Sequence, residues 1–510
     1  MNWNYSAYIQ EILTSTVYDV AKKTPLDYAS QLSSRLKNHI YIKREDLQPI
    51  FSFKIRGAYN KISQLSKKEL NAGIITASAG NHAQGVALAA QKLGYLAHIV
   101  MPLTTPQIKV DAVKSMGANV VLRGSSFSEA YQYAAHLAKQ TQMPYLAPFD
   151  DEKVIAGQGT IAMEIISQHP KPIHAIFIPI GGGGLAAGMA VFLKNIRPEI
   201  KLIGVQAQDA CAMHLSIREK KIIHLKSVGL FADGTAVKEV GKITYPICRD
   251  LLDDIVLVDT DAICAAIQDV FNETRSILEP SGALGLAGLK AYIKQQNITG
   301  QTLLTINTGA NINFHRLRHV SERTELTEKK ETILAVTIPE ESGSFLKFIQ
   351  WIGNRNITEF NYRYGDKAKA QIFVGIETLG ETDRKTIIQS LKAAQLPVLD
   401  LSDNEIAKIH IRHMVGGRTN AIQNERIFIF EFPERPGALH HFLKVLSPAW
   451  NITLFHYRNH GSDYGRVIIG LDVPKNTEVD FAQFNQLTNY TFSEHTHDPA
   501  YELFLAPTKD

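Results

Sequence analysis

The sequence predicts an α/β protein built in two styles: a large domain on a parallel sheet, then a pair of small α+β modules sharing one plan. Three observations predict it. Short β-rich runs alternate with helical patterns from about residue 72 to residue 209. A stretch from Arg318 to Glu331, in which eight of fourteen residues are charged, then changes the character of the chain. Beyond that stretch the sequence repeats itself. At 510 residues the chain has room for about three domains of roughly 150 residues each.

In the first part, "AHIVMP" (Ala97 to Pro102), "NVVLRG" (Asn119 to Gly124), "AIFIPI" (Ala175 to Ile180) and "KLIGVQA" (Lys201 to Ala207) read as strands. "NHAQGVALAAQKLG" and "PQIKVDAVKSMG" read as helices. Each is closed by glycine, which takes the left-handed C-terminal turn without steric cost. Continuous apolar strands between helices imply a parallel sheet covered on both faces, a doubly wound architecture. Its ligand crevice belongs beyond the C-terminal ends of the strands. One run of nineteen uncharged residues, Ala175 to Leu193, approaches the length of a membrane span. The four glycines after Pro179 divide it instead into a strand, a tight turn and a helix. No membrane segment is expected.

The charged stretch reads as a solvated connector or helix, 318–331, that closes a first domain at residue 317. In the repeat, "IPEESGSFLKF" from Ile338 matches "FPERPGALHHF" from Phe432, and "NITEFNYR" from Asn356 matches "NITLFHYR" from Asn451. The offset is 94 residues in one block and 95 in the other, so a single insertion separates the copies. Each copy opens with an alternating strand, "TILAVTIPE" or "RIFIFEFPE", followed by a glycine turn into a helix. Phe345, Phe348, Ile349 and Ile352 fall on one helical face. Further strands follow, "QIFVGIE" and "RVIIGLDV". This is a β-α-β-β-α-β, ferredoxin-like plan, placed over 332–405 and 425–508. Neither copy carries a nucleophile–base pair or a metal-ligand spacing, so the repeats read as regulatory.

Composition is that of an ordinary globular protein, 45% hydrophobic and 20% charged. A net charge of +4 is too small to mark a nucleic-acid or polybasic membrane surface. Cys211, Cys248 and Cys264 form no CxxC pair, which fits a reducing compartment. The N-terminus has no basic segment followed by an apolar core, so no secretory signal is read.

Several short stretches carry chemistry. "SFKIRGAY", Ser52 to Tyr59, sets Lys54 between phenylalanine and isoleucine, just after "IKRED". Such a lysine either lays its stem along the core with its head in water, or holds an amine in a pocket for carbonyl chemistry. "GGGGL", Gly181 to Leu185, follows a strand and opens a helix, where free amides and the helix dipole hold an anion such as phosphate. The same residues satisfy GxGxxA through Gly182, Gly184 and Ala187, with Asp209 at the end of the next strand, so a nicotinamide site competes. "SAGNHAQG", Ser78 to Gly85, is a second strand-to-helix junction. Ser78 and Asn81 are natural N-cap residues there, and the exposed amides could bind a carboxylate. "LEPSGA" (Leu278 to Ala283) and "NTGAN" (Asn307 to Asn311) could each be ordinary turns.

Taken together, in this order and spacing, Lys54, "SAGNHAQG", "GGGGL", "EPSGA" and "NTGAN" resemble the fold-type II pyridoxal-phosphate enzymes, whose catalytic domain is tryptophan synthase β-like. With the C-terminal repeats, which resemble paired ACT-like regulatory domains, nearly the whole chain resembles the biosynthetic threonine dehydratases (threonine ammonia-lyases). That resemblance implies a two-lobed catalytic domain and pyridoxal phosphate bound covalently through Lys54. It implies that Phe53 lines the cofactor ring and that Gly181, Gly182, Gly183, Gly184 and Leu185 cradle its phosphate. Asn81 would meet the ring oxygen and Thr308 the pyridine nitrogen, where serine is the family's usual residue. Ser78, Asn81 and His82 would bind the substrate carboxylate, and Glu279 would help position or protonate the cofactor region. L-threonine would be the substrate and L-serine a secondary one. Isoleucine as inhibitor and valine as activator would act on the repeats, near Gly343, Tyr362 and Arg363. A homotetramer is implied; the cytoplasm is the expected compartment from the cysteines, and no metal-ligating residue is singled out. A serine dehydratase or racemase, and an inactive amino-acid sensor, are the alternative readings on the same scaffold.

Overall fold

The computed structural model describes residues 5–314, 316–317, 320–321, 323, 331–339, 344–353, 355, 357–362, 369–413, 425–433, 451–458, 464–473 and 490–506. It falls into two compact units, Met1–Asn313 and Phe314–Asp510. No helix among the described residues is long and apolar enough to cross a membrane.

The first unit holds two sheets, where the strand and helix alternation alone predicts one. Strands β1 (Leu26–Tyr28), β2 (His39–Lys43), β6 (Ala175–Pro179), β7 (Lys201–Ala207), β8 (Asp254–Val258) and β9 (Thr302–Ile306) form the larger, in the order β1-β2-β9-β6-β7-β8. All its pairings are parallel except β1 with β2. Strands β3 (Ile74–Ala77), β4 (Ala97–Met101) and β5 (Asn119–Leu122) form a separate parallel sheet. The expected strands exist, but β4 and β5 lie in one lobe while β6 and β7 lie in the other. Both β6 and β3 are buried along their whole length, as strands covered on both faces must be.

The helix Glu152–Gln168 carries the chain between the lobes, and its glycines explain how three helices can meet. A Cβ on Gly157 would stand 2.8 Å from the Arg56 carbonyl, and one on Gly159 would stand 2.8 Å from that of Gly188. Two side-chain-free surfaces therefore let this helix approach both the Lys54–Ile62 helix and the Gly184–Ile196 helix.

A buried ion cluster lies at the same junction. Arg56 donates to Glu45 at 2.7 and 2.8 Å and to Glu164 at 2.6 Å, while Lys43 donates to Glu164 at 2.6 Å. All four side chains are essentially without solvent contact. Burial alone would push the Glu45 carboxyl up, but the Arg56 guanidinium and the Thr24 hydroxyl outweigh it and hold it below its ordinary value. Two cations balance two anions, so removing one member strands a charge. Arg56→Met is expected to lose about 3–5 kcal/mol of stability, read from the denaturant midpoint; a loss under about 1 kcal/mol, the scale of a surface pair, would contradict the account.

In the second unit the first module follows the β-α-β-β-α-β plan, and the described residues of the second give its four strands. The first module runs β10 (Glu331–Pro339), helix Ser344–Ile352, β11 (Ile357–Tyr362), β12 (Lys369–Glu377), helix Glu381–Ala393 and β13 (Val398–Asp400). The sheet order is β11-β12-β10-β13, antiparallel throughout. Phe348 and Ile352 of the helix stripe are fully buried. The second module repeats this order with β15 (Asn451–Arg458), β16 (Tyr464–Asp472), β14 (Glu425–Pro433) and β17 (Phe492–Glu494). Even the irregularities correspond: β11 shifts register between Ile357 and Glu359, and β15 between Ile452 and Leu454.

Each module also ends in a short helix that the repeat reading did not include, Glu405–Ile409 and Pro499–Phe504. Their N-caps, Asn404 and Asp498, stand at equivalent positions and hydrogen-bond each other at 3.3–3.4 Å. Residues from both modules fill one core, including Ala335, Phe373, Ile406, Ile427, Ile468 and Tyr501. The charged connector is not solvated throughout. Glu331, its last residue, opens β10 and is buried against Arg412 at 3.0 Å. A carboxylate that begins a central strand needs a buried partner, and a count of charges does not reveal one.

Candidate active site

The site is built where the Lys54–Ile62 helix, the Asn81–Leu93 helix and the Gly184–Ile196 helix begin. Lys54 is the first residue of its helix, and its amine donates to the Pro148 carbonyl at 2.8 Å. Burial lowers its pKa to about 8, against the raising pull of the Glu279 carboxylate. The amine lies 5.4 Å from the centre of the Phe53 ring. A Cβ on Gly85 would stand 3.1 Å from the Lys54 carbonyl, so glycine in "NHAQG" is what lets the Asn81 helix approach the lysine backbone. Lys54 is thus a pocket amine and not a snorkelling one.

The glycine run is shaped by crowding. Gly183 caps the Gly184–Ile196 helix at φ +100°, in the left-handed region. A Cβ there would stand 2.8 Å from both Met213 and Thr244. A Cβ on Gly182 would enter the Phe149 ring, and one on Gly181 would stand 3.0 Å from Thr235. The Thr244 hydroxyl donates to the Gly182 carbonyl at 2.5 Å, and the Gly241 amide donates to the same oxygen at 3.2 Å. Asp150 anchors that second loop, accepting from the amides of Lys242 and Ile243 at 3.0 and 2.8 Å. The carbonyls are therefore turned away into protein, while among the described residues the amides of Gly181 to Leu185 meet no protein acceptor. Buried donors facing a cradle without side chains fit a phosphate group. The nicotinamide alternative loses its acidic residue. Strand β7 ends at Ala207, and Asp209 sits in the one-turn helix Gln208–Ala210. There its carboxylate crowds Gly229, and the Gly229 amide donates to its carbonyl at 3.0 Å.

The "SAGN" junction differs from expectation in one respect. The N-cap of the helix is Gly80, and neither Ser78 nor Asn81 caps it. Ser78 accepts from the Gly80 amide at 3.3 Å. Asn81 is the first helical residue and turns its amide outward: it donates to Glu279 at 2.6 Å and accepts from Asn311 at 2.6 Å. Its side chain is committed to the site, which is why it does not turn back on its own helix. The amides of Ala79, Asn81 and His82 have no acceptor among the described residues, so the junction is still suited to a carboxylate. His82 is buried, with Nε2 at 3.2 Å from the Leu146 carbonyl. Burial first, then the Lys54 ammonium, pushes its pKa down to about 3. It is a neutral ring with Nε2 protonated toward that carbonyl, and Nδ1 has no partner among the described residues.

Glu279 caps the Pro280–Gln296 helix by position only, its carboxylate being used by Asn81. Thr308 is buried, and its hydroxyl donates to the Ser281 carbonyl at 3.1 Å. Residues 307–311 run antiparallel to the segment before Lys54: Ser52 bridges Gly309, and the Phe53 amide donates to the Thr308 carbonyl at 3.3 Å. The structure therefore brings Phe53, Lys54, Ser78, Asn81, His82, Gly181 to Leu185, Glu279 and Thr308 to one place. Gly343 and Arg363 lie outside the described residues, and of Tyr362 only its place at the end of β11 is described. Pro148, Phe149, Asp150, Thr235 and Thr244 were not singled out from the sequence. They act through a backbone oxygen, a ring face or a loop anchor, and no residue-type pattern advertises that.

An amine of lowered pKa opposite a phosphate cradle defines a pyridoxal-phosphate-dependent enzyme, and the family model described as pyridoxal-phosphate dependent enzyme matches residues 17–309. Its cofactor is pyridoxal phosphate. The C-terminal regulatory domain of threonine dehydratase matches twice, at 322–411 and 416–505. The chain is 53% identical over 502 residues to the biosynthetic L-threonine dehydratase IlvA of Burkholderia multivorans, covering 98% of this chain and 99% of that one. It is 50% identical to IlvA of Escherichia coli, covering 98% and 97%. The chain belongs to the biosynthetic threonine dehydratases. Among solved structures it resembles the processed form of threonine deaminase isoform 2 from Solanum lycopersicum, with a TM-score of 0.63 and 52% identity over 64% of this chain and 90% of that one. It also resembles maize serine racemase, with a TM-score of 0.58 and 32% identity over 62% of this chain and 96% of that one.

Proposed function

We propose that this chain converts L-threonine to 2-oxobutanoate and ammonia, with L-serine as a secondary substrate, and that isoleucine inhibits and valine activates it through residues 332–405 and 425–508. The observation that carries the reading is the Lys54 amine, lowered to about 8 and placed beside an anion cradle, in a chain whose full-length relatives are threonine dehydratases. Residues 1–317 are the catalytic part and 318–331 the connector. We place the enzyme in the cytoplasm as a homotetramer, on its resemblance to the family.

Pyridoxal phosphate, when bound, supplies an electron-accepting ring that acidifies the α-hydrogen of an attached amino acid. The amides of Gly181 to Leu185 would hold its phosphate, Phe53 would line the ring, and Asn81 and Thr308 would meet its ring oxygen and pyridine nitrogen. Lys54 would be its covalent anchor, and the free Lys54 amine would take the α-proton and retain it at Nζ. An amine near 8 suits this because it is unprotonated for part of the time at neutral pH. The amides around Ser78, Asn81 and His82 bind the substrate carboxylate. His82, neutral near pH 7, does not compete for the proton. Glu279 holds Asn81 from the opposite side. Thr308 offers a hydroxyl and no carboxylic acid, so it would not supply a full proton to a pyridine nitrogen.

The test is 2-oxo acid formation from L-threonine and L-serine, with and without L-isoleucine and L-valine, by the full chain and by residues 1–317. A catalytic part alone is a reasonable object, because a second solved threonine deaminase matches 61% of this chain across 98% of its own length. Threonine turnover suppressed by isoleucine in the full chain, restored by valine, and indifferent to both in the shorter one is the expected result. Effector coupling of about 1–3 kcal/mol corresponds to roughly 5- to 150-fold in affinity. Indifference of the full chain would overturn the regulatory half. Absence of any 2-oxo acid would overturn the catalytic half.

A further inference from the structure

We propose that Asn311 is a positioning residue that fixes the side-chain amide of Asn81 and so decides which of its atoms faces the cofactor; this rests on the reading of Asn81 as the partner of the ring oxygen. Asn311 Nδ2 donates to the Ile50 carbonyl at 2.8 Å and to Asn81 Oδ1 at 2.6 Å. A backbone carbonyl can only accept, so the Ile50 oxygen decides which end of the Asn311 amide points this way. Asn81 must then turn Oδ1 toward Asn311 and Nδ2 to its other side. There Glu279 Oε1 accepts it at 2.6 Å. An ionised carboxylate is likewise an acceptor only. The series carbonyl, amide, amide, carboxylate has one self-consistent direction, and it delivers an N–H donor on the Glu279 side of Asn81.

The three groups joined come from three parts of the unit. Ile50 precedes the lysine segment, Asn81 opens the helix after β3, and Glu279 precedes the Pro280–Gln296 helix. Asn311 itself is held by backbone, since the Ala310 amide donates to the Phe51 carbonyl at 2.9 Å and Gly309 bridges Ser52. It is anchored on the lysine side and sets an atom on the side of the smaller sheet. Without it the Asn81 amide could turn over and present an oxygen where a donor is needed.

The experiment compares wild type, Asn311→Asp, Asn81→Ala and the double variant as full chains. Two quantities are measured: the dissociation constant of pyridoxal phosphate, by absorbance titration of cofactor-stripped protein, and the visible spectrum of the bound cofactor against pH. Asn311→Asp keeps the shape and removes both donors, so the Asn81 amide must reverse to donate to the new carboxylate. Affinity is expected to fall about tenfold, the scale of one charge-assisted hydrogen bond, with a displaced spectral titration. In the Asn81→Ala background the same change should add nothing. Wild-type affinity and spectrum in Asn311→Asp would overturn the proposal, and so would losses that multiply in the double variant, because a merely structural role would act without Asn81. Should Asn81→Ala itself leave affinity and spectrum unchanged, the reading of Asn81 falls, and the proposal with it. Asn311→Ala removes the donors without adding charge and serves where the aspartate variant does not fold; the same dependence on Asn81 is expected of it.

Discussion

Lys54→Ala is expected to lower the elimination rate by about 10⁴-fold or more, the upper range for removing a positioned general base, while the cofactor still binds without covalent attachment. In the proposed mechanism the amine has two duties, as anchor and as base, and no second cation among the site residues described above can assume either. A variant that keeps more than about a hundredth of the wild-type rate would show that another group takes the α-proton.

The same side chain predicts a pH signature in the cofactor-free protein. Its pKa in the folded state, about 8, lies below the ordinary lysine value of 10.5. Between these two values the unfolded chain binds the proton and the folded chain does not, so stability rises with pH across that window. Below about pH 8 both states are protonated and the cost of the buried charge is fully present. Lys54→Met, similar in length and uncharged, should therefore gain melting temperature over wild type at pH 7 and lose that advantage as pH rises toward 10.5. The Pro148 carbonyl loses its Lys54 donor in the variant but does not titrate, so it shifts the melting difference by a constant and leaves the pH dependence as the signature. A melting difference constant in pH would mean that the amine is solvated.

Gly183→Ala is expected to weaken pyridoxal phosphate binding about 100-fold, because two penalties act on one residue. Its φ of +100° disfavours any side chain, at about 1–3 kcal/mol. Its Cβ would also stand 2.8 Å from Met213 and Thr244, and overpacking adds about 1–3 kcal/mol. Thr244 cannot retreat without releasing the Gly182 carbonyl, whose direction keeps the amides facing the cradle. Gly300→Ala is the control. It has a positive φ of 69° but no neighbour within 4 Å of its Cβ, and it lies just before β9, away from the C-terminal strand ends. Equal cofactor affinity in Gly183→Ala and wild type would show that the glycine run is a plain turn.

How much of this was legible in advance depends on the range of the interaction. Strands such as Lys201–Ala207 and β14 are visible because periodicity and β-branched content are local properties. The repeat is visible because a duplicated module keeps its apolar positions and its Pro-Glu…Gly pattern; even the register shifts of β11 and β15 recur. Lys54 and the glycine run stand out because an amine among apolar residues and four successive glycines both violate ordinary surface statistics.

Which lobe each strand joins was not legible in periodicity. Nor was the close approach of three helices, which depends on glycines at 157, 159 and 188 meeting backbone far away in the chain. The N-cap at Gly80 was assigned to Ser78 and Asn81 for the same reason: a side chain that caps in isolation is drawn away when partners 198 and 230 residues distant offer better hydrogen bonds. The buried cluster of Lys43, Glu45, Arg56 and Glu164 looks, in one dimension, like surface charge. The sequence by itself pointed to the chemistry, since the lysine proposed to hold the cofactor, the glycine run proposed to cradle its phosphate and the duplicated regulatory domain resemble their family counterparts in residue type, order and spacing. Only the tertiary structure decided the geometry of that chemistry: which lobe each strand joins, which way the Asn81 amide points, and where the Lys54 proton equilibrium lies. Hydrogen-bond direction and desolvation are properties of neighbours brought together by folding, and no single segment contains them.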